Sequence, residues 1–256
     1  MKKLLKGFLA VAMALTLSAC GGSTNNDTAE KKTISVGISP DYAPYELKQT
    51  DGSIEGFDID MMDLFEGYLK EITGDEYEFE LVEMEFDGII GQLNGGQVDV
   101  GISGFTYAED RVVEWSEPYL GTSQVAVVPE GSSIKTADDL KGKVIAAQSG
   151  ATGYDVAQEI EGADARSIGK VTDIFNGLAA NQYDAAIVDL GVAKNYVANG
   201  GFTMLEEPLL DEKNYIIAKQ GNTEMIDLMN QCIEKLLASD DYQKLCDKHG
   251  LSPLSE

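Results

Sequence analysis

Four residues within one short stretch have the chemistry to hold a small anion: Ser103, Gly104, Thr106 and Arg111. They follow an alternating run, Val98-Asp99-Val100-Gly101-Ile102, and sit where that strand is expected to end. Ser103 and Thr106 each offer a donor and acceptors. Gly104 has no Cβ, so a ligand can approach the backbone closely. Arg111 comes five residues after Thr106, which lets its guanidinium fold back over the strand end and grip a carboxylate through two hydrogen bonds. A loop carrying a solvated arginine fits the same residues.

Two further groups invite the same question. Val144-Ile145-Ala146-Ala147 reads as a strand ending in Gln148-Ser149-Gly150-Ala151-Thr152-Gly153 ahead of a helix. Backbone N–H groups at a helix start favour anions, and an ordinary capped turn is the plain alternative. No lysine follows the glycines, so this is no Walker A loop. Asp189 ends the apolar strand Ala185-Ala186-Ile187-Val188, where a carboxylate is either a helix cap or a ligand group. Tyr42 and Tyr45 stand in a proline-rich loop after the strand at 33–38; by residue type alone they read as loop packing.

The elements that must position these residues are legible as periodicity. Ile59, Met62, Phe65, Leu69 and Ile72 form one stripe of a helix opened by Gly56-Phe57-Asp58-Ile59-Asp60, with Met61-Met62 as core filling. Strands are expected at 79–84, 125–128 and 214–218, the last reached through a crossover at 206–211, and two helices at 223–249. Ile89, Leu93, Gln97, Asp99 and Ile102 recur at a fixed offset as Ile174, Leu178, Gln182, Asp184 and Ile187. Each copy reads as a short helix feeding a strand, which predicts two similar α/β lobes facing one cleft. On this offset Gly104 corresponds to Asp189.

Composition narrows the function class. The 256 residues carry a formal charge of −25, with the acids spread along the chain, so nucleic acid is not an expected partner. Lys2, Lys3 and Lys6 precede an apolar run at 8–17 too short to span a bilayer comfortably, which reads as a signal peptide over 1–19. Residues 20–32 read as a flexible tether. Leu17-Ser18-Ala19-Cys20-Gly21 resembles the lipobox of bacterial lipoproteins, which implies acylation of Cys20. Cys232 and Cys246 fit a disulfide or two buried thiols equally. His249 is the sole histidine and reads as a surface residue; with no Cys-x-x-Cys, neither a metal site nor a cofactor is expected.

The run Ser103-Gly104-Phe105-Thr106-Tyr107-Ala108-Glu109-Asp110-Arg111, followed by Trp115-Ser116-Glu117-Pro118-Tyr119, resembles a segment of the family 3 extracellular solute-binding proteins, the amino-acid receptors of ABC importers. Their usual pattern is S-G-x-T-x-T-x-E-R and then F-S-x-P-Y; here Ala108 replaces a common threonine and Glu109-Asp110 reorders the acids. Similar matches are Tyr42-Ala43-Pro44-Tyr45 to Y-A-P-F, residues 56–60 to G-F-D-x-D, Phe86-Asp87-Gly88-Ile89-Ile90 to W/F-x-G-L-I, residues 134–143 to I-x-x-x-x-D-L-x-G-K, and residues 184–189 to D-A-x-x-x-D. The resemblance runs from about Thr33 to the C-terminus.

It implies an α/β, two-lobe periplasmic-binding-protein-like fold with two crossover hinge strands. The first lobe is expected at 33–121 plus 213–256 and the second at 122–212. Arg111, with Thr106 and Thr152, would hold an amino-acid carboxylate. Asp189, with the Gly104 carbonyl, would hold the ammonium, and Tyr42 and Phe86 would sandwich the side chain. Gln148 falls where the family faces the ligand side chain. Ser39 stands where the family often has an aspartate, and together with Gln148 this suggests a neutral or polar ligand. The implied protein is a monomeric, non-enzymatic, lipid-anchored receptor on the extracytoplasmic face of the membrane or in the periplasm, delivering its ligand to an ABC permease. The alternative is a cyclohexadienyl (prephenate or arogenate) dehydratase, which shares the fold and needs a general acid.

Overall fold

The computed structural model describes residues 31–254. The leader at 1–19, Cys20 and the tether as far as residue 30 lie outside the described residues. In chain order the first elements are β1 (Lys32–Ile38), β2 (Asp41–Tyr42), β3 (Glu46–Lys48), β4 (Ile54–Glu55), α1 (Phe57–Thr73), β5 (Tyr77–Glu83), α2 (Phe86–Gly95) and β6 (Val100–Thr106). A 17-residue strand, β7 (Val113–Pro129), then leads to a 3-10 turn at Ala137–Leu140, β8 (Val144–Gln148) and α3 (Thr152–Glu159). Next come β9 (Asp164–Ile168), α4 (Val171–Ala179), β10 (Ala185–Asp189), α5 (Leu190–Ala198) and β11 (Phe202–Met204). The chain closes with β12 (Leu210–Lys219), α6 (Thr223–Leu237) and α7 (Asp240–His249).

The main sheet runs β5-β1-β6-β12-β7-β10-β8-β9, with β11 on β7 and β2-β3-β4 as a separate small sheet. Its outer parts are parallel and wrapped by helices, while β7 and β12 run antiparallel through the middle. Both span the junction. Residues 113–124 of β7 pair with β12, and residues 124–127 pair with β10. This is the two-lobe α/β architecture with two shared strands.

The internal echo is structural. Ile89 and Leu93 in α2, and Ile174 and Leu178 in α4, are fully buried. The N–H of Gln97 donates to Gln92 O at 2.9 Å, and the N–H of Gln182 to Gly177 O at 2.9 Å. Gly96 and Asn181 close the two turns in the left-handed region, at φ 74° and 55°. Asp99 accepts the N–H of Ser35 at 2.8 Å, just as Asp184 accepts that of Val144 at 2.8 Å. In both copies the aspartate accepts a backbone N–H of the neighbouring parallel strand, in the middle of β1 and at the start of β8.

Three expectations are corrected. β6 does not stop at Ile102; it continues through Ser103-Gly104-Phe105 to Thr106, with Gly104 at φ 59° and a register shift against β12. A strand carries this stretch because β12 supplies backbone partners on its far side. His249 is not a surface residue: its side chain is 12% exposed, Nε2 lies 2.5 Å from Asp60 Oδ2, and its ring meets Phe57 edge-on. The buried stripe of α1 is Phe57, Met61, Met62, Phe65 and Leu69, with Ile59 and Ile72 at its margins. Full burial of Phe65 or Leu69 contributes about 2–3 kcal/mol of transfer free energy. The cysteine question closes on two thiols: Cys232 and Cys246 are free and buried, and burial pushes them up to about 12 and about 11.

Candidate functional site

The ends of β6, β8 and β10 converge on the junction spanned by β7 and β12. Thr106, at the end of β6, and Thr152, the first residue of α3, bring their hydroxyls to 2.9 Å from one another across the cleft. Arg111 folds back as its spacing predicted. Its guanidinium donates to the carbonyl of Thr106 and, at 2.7 Å, to that of Gly150. The same group lies 5.8 Å from the Phe86 ring centre and 5.7 Å from that of Phe105, and the two rings stack at 4.6 Å. A cation over two aromatic faces is held in place without losing its charge. A cavity of about 410 Å³, lined by Phe86, Asp87, Arg111, Gly150 and Asp155 among others, opens beside it.

Asp189 is buried at the end of β10 and surrounded by donors. Tyr42 donates its hydroxyl to Oδ2, while Thr122 at 3.0 Å and Gln124 at 3.3 Å donate to Oδ1. Burial, with the charge of Glu212 adding to it, raises its carboxyl to about 7 against the pull of these hydrogen bonds. Tyr42 stacks on Tyr45 at 5.6 Å, so it packs in the loop and faces the cleft at once. The two sequence readings of that residue are compatible.

Gln148 is buried, and its Nε2 has no hydrogen-bond partner among the described residues. An unpaired buried amide costs about 1–3 kcal/mol, which a ligand acceptor would offset. Ser39 and Ser103 point elsewhere. Ser103 receives the backbone N–H of Ser39 at 3.1 Å and donates to Glu46 at 2.5 Å, and Ser39 donates to Asp41 at 3.1 Å. The Gly104 carbonyl accepts from Asn214 Nδ2 at 2.9 Å.

Sequence reasoning passed over six residues of this neighbourhood. Glu46 and Asp58 are fully buried beneath Ser103-Gly104; Asp58 accepts the Gly104 N–H at 3.2 Å and the Tyr119 hydroxyl at 3.0 Å. Burial raises Asp58 to about 6, and burial, with the charge of Asp58 adding to it, raises Glu46 as well. Asp58 stood in the G-F-D-x-D run, where it looked like a helix opening. Thr122 and Gln124 precede the apolar run of β7, and Glu212 and Asn214 lie on β12. Alternation along those strands was the available signal, but it does not say which face meets a cleft.

Contacts also cross the cleft at its rim. Asp41 accepts the Val171 N–H, at the start of α4, at 2.7 Å, and Ser149 donates to Asp87 at 2.7 Å. Among the described residues no cluster of His, Cys, Asp and Glu is arranged to hold a metal, and no helix is long and apolar enough to cross a membrane.

Comparison with known proteins places this geometry. Residues 34–252 match the profile of the bacterial extracellular solute-binding proteins, family 3. A probable histidine-binding protein of Neisseria gonorrhoeae is 29% identical over 263 residues, covering 97% of this chain and 96% of the relative. The arginine-binding extracellular protein ArtP of Bacillus subtilis strain 168 is 29% identical over 257 residues, covering 97% and 98%. In three dimensions the chain is similar to the arginine-, lysine-, histidine-binding protein ArtJ of Geobacillus stearothermophilus. The TM-score is 0.78 at 30% identity, over 87% of this chain and 97% of that one.

Proposed function

Since the chain belongs to the bacterial extracellular solute-binding proteins of family 3, we propose that it captures an L-amino acid between its lobes and hands it to an ABC-type permease. The observation that carries this reading is the pairing of opposite tools across one cleft. Arg111 and the Thr106 and Thr152 hydroxyls stand at one end, and the buried carboxylate of Asp189 at the other. A zwitterion complements both. Arg111, Thr106 and Thr152 take the carboxylate; Asp189 takes the ammonium, with the Gly104 carbonyl as second acceptor. Phe86 and Tyr42 flank the side chain, and Gln148 faces it.

Arg111 sits after β6 and Asp189 at the end of β10, so the ligand ties one lobe to the other. With lobes at 33–121 plus 213–256 and at 122–212, β7 and β12 are the hinge, and binding favours the closed form because only that form makes both sets of contacts. Cys20, lipidated after removal of 1–19, anchors a monomer at the outer face of the membrane through the tether. Ser39 and Gln148 taken alone favour a neutral or polar side chain. The relatives named for histidine and arginine have ligands whose side chains bear N–H donors.

The test is thermal melting of the tether-free protein, refolded to strip carried-over ligand, against the twenty amino acids and cystine. Ligand at a hundred times its dissociation constant adds about 2.7 kcal/mol, a rise of roughly 5–11 °C at this size. One or a few related L-amino acids should give that rise. A flat panel, with turnover of prephenate or arogenate, would replace the receptor with the dehydratase.

A further inference from the structure

Glu212, on β12, belongs to the cleft although no motif marks it. Its Oε2 accepts from Thr152 Oγ1 at 2.9 Å and from Gln124 Nε2 at 2.8 Å. The same Gln124 amide donates to Asp189 at 3.3 Å, so one amide bridges two carboxylates. Among the described residues neither carboxylate forms an ion pair with Lys, Arg or His. Arg111 is the nearby cation, and among the described residues its guanidinium donates to two backbone carbonyls. Asp155 and Asp110 also act on Arg111, and Tyr215 lines the same cavity as Glu212.

The charge count follows, on the reading that the ligand is an amino acid. Its carboxylate neutralises Arg111 and its ammonium neutralises Asp189. Glu212 is then a half-buried carboxylate with no counter-charge. Its hydrogen bonding worsens as well. Thr152 has one hydroxyl proton, so it cannot serve Glu212 and a ligand carboxylate together. Binding therefore removes one of the two donors from Glu212 Oε2 inside the cleft, leaving the Gln124 amide. A carboxylate stripped of a donor in partly desolvated surroundings is costly unless a cation or a strong donor replaces it.

We propose that Glu212 is a specificity-determining residue of this cleft, selecting amino acids that carry a second cationic group. This departs from the neutral ligand that Ser39 and Gln148 suggest. The discriminating comparison uses ligands matched in shape and differing in charge: L-arginine against L-citrulline, and L-lysine against L-norleucine. Calorimetry on the wild-type protein should favour the charged member of a pair at least tenfold. Glu212→Gln should lower that charged-to-neutral ratio at least tenfold, and Glu212→Asp should keep most of it. Arg111→Ala and Asp189→Asn should weaken both members and leave the ratio in place.

An unchanged ratio in Glu212→Gln would overturn the assignment. So would a wild-type protein whose best ligand has no second cationic group, or tighter binding of both members by Glu212→Gln, which would make Glu212 a tethered competitor for Thr152. If Glu212→Gln does not fold, the wild-type ratios and Glu212→Asp decide. Failure of every amino acid in the panel would instead sink the amino-acid reading itself, a different result from binding that ignores charge.

Discussion

Asp189 concentrates the chemistry at the scale of single residues. It is buried, it collects donors from Tyr42, Thr122 and Gln124, and its carboxyl sits at about 7. Only its ionised form pairs with an ammonium. Because the unliganded group is raised, binding is strongest above pH 7 and weakens as pH falls through that value, with a proton released on binding. A single group at about 7 predicts affinity lower by roughly 30-fold at pH 5.5 than at pH 8. Calorimetry in buffers of different ionisation enthalpy reads the released proton directly. Asp189→Asn should flatten the profile and cost about 2–5 kcal/mol of binding, because a buried ligand charge is left unpaired. A steep profile surviving in Asp189→Asn would move the titration elsewhere.

Elements explain which residues could be read in advance. Asp189 was legible because it ends an apolar run, where a charged side chain demands a reason, and Arg111 because its spacing of five residues after Thr106 lets the guanidinium fold back over the end of β6. Glu212 and Gln124 were not, because β7 and β12 pair on both sides and their cleft-facing positions are fixed by tertiary register. Ser103 was legible as polar, but its hydroxyl turns down to Glu46, a contact between residues far apart in sequence. The helix-strand echo was legible as five recurring residues, and its mechanical content is the left-handed turn at Gly96 and Asn181. That equivalence has a stability consequence. Asn181→Ala should cost about 1 kcal/mol through backbone strain, whereas Asn181→Gly should be neutral or slightly stabilising. Gly96→Ala should cost about the same as Asn181→Ala, since no atom crowds its Cβ position. Urea unfolding measures all three; equal stabilities for Asn181→Ala and Asn181→Gly would mean the turn does not need the left-handed residue.

For the molecule as a whole, the two lobes share one sheet through β7 and β12, and the polar groups that could grip a ligand are divided between them. The two-lobe fold class was open to sequence reasoning because the recurring helix-strand unit is a local pattern and the family resemblance runs along the chain. The registry of cleft residues was not, because it depends on how the ends of β6, β8 and β10 meet. The rim contacts of Asp41 with Val171 and of Asp87 with Ser149 join segments well separated in the chain, so they too arise only at this scale. The central claim is that a zwitterion bridges the lobes, its carboxylate on the side of Arg111 and its ammonium on Asp189. The most direct measurement is calorimetric titration of one protein sample with four ligands: the best L-amino acid, its D-enantiomer, the amine lacking its carboxylate and the acid lacking its ammonium. The account predicts that the L-amino acid binds and that the amine and the acid each bind at least about thirtyfold more weakly, matching the loss of one buried charge partner. The D-enantiomer should also be weaker, since it cannot satisfy Arg111, Asp189 and the side-chain wall together. An amine or an acid binding within threefold of the amino acid would contradict the bridge.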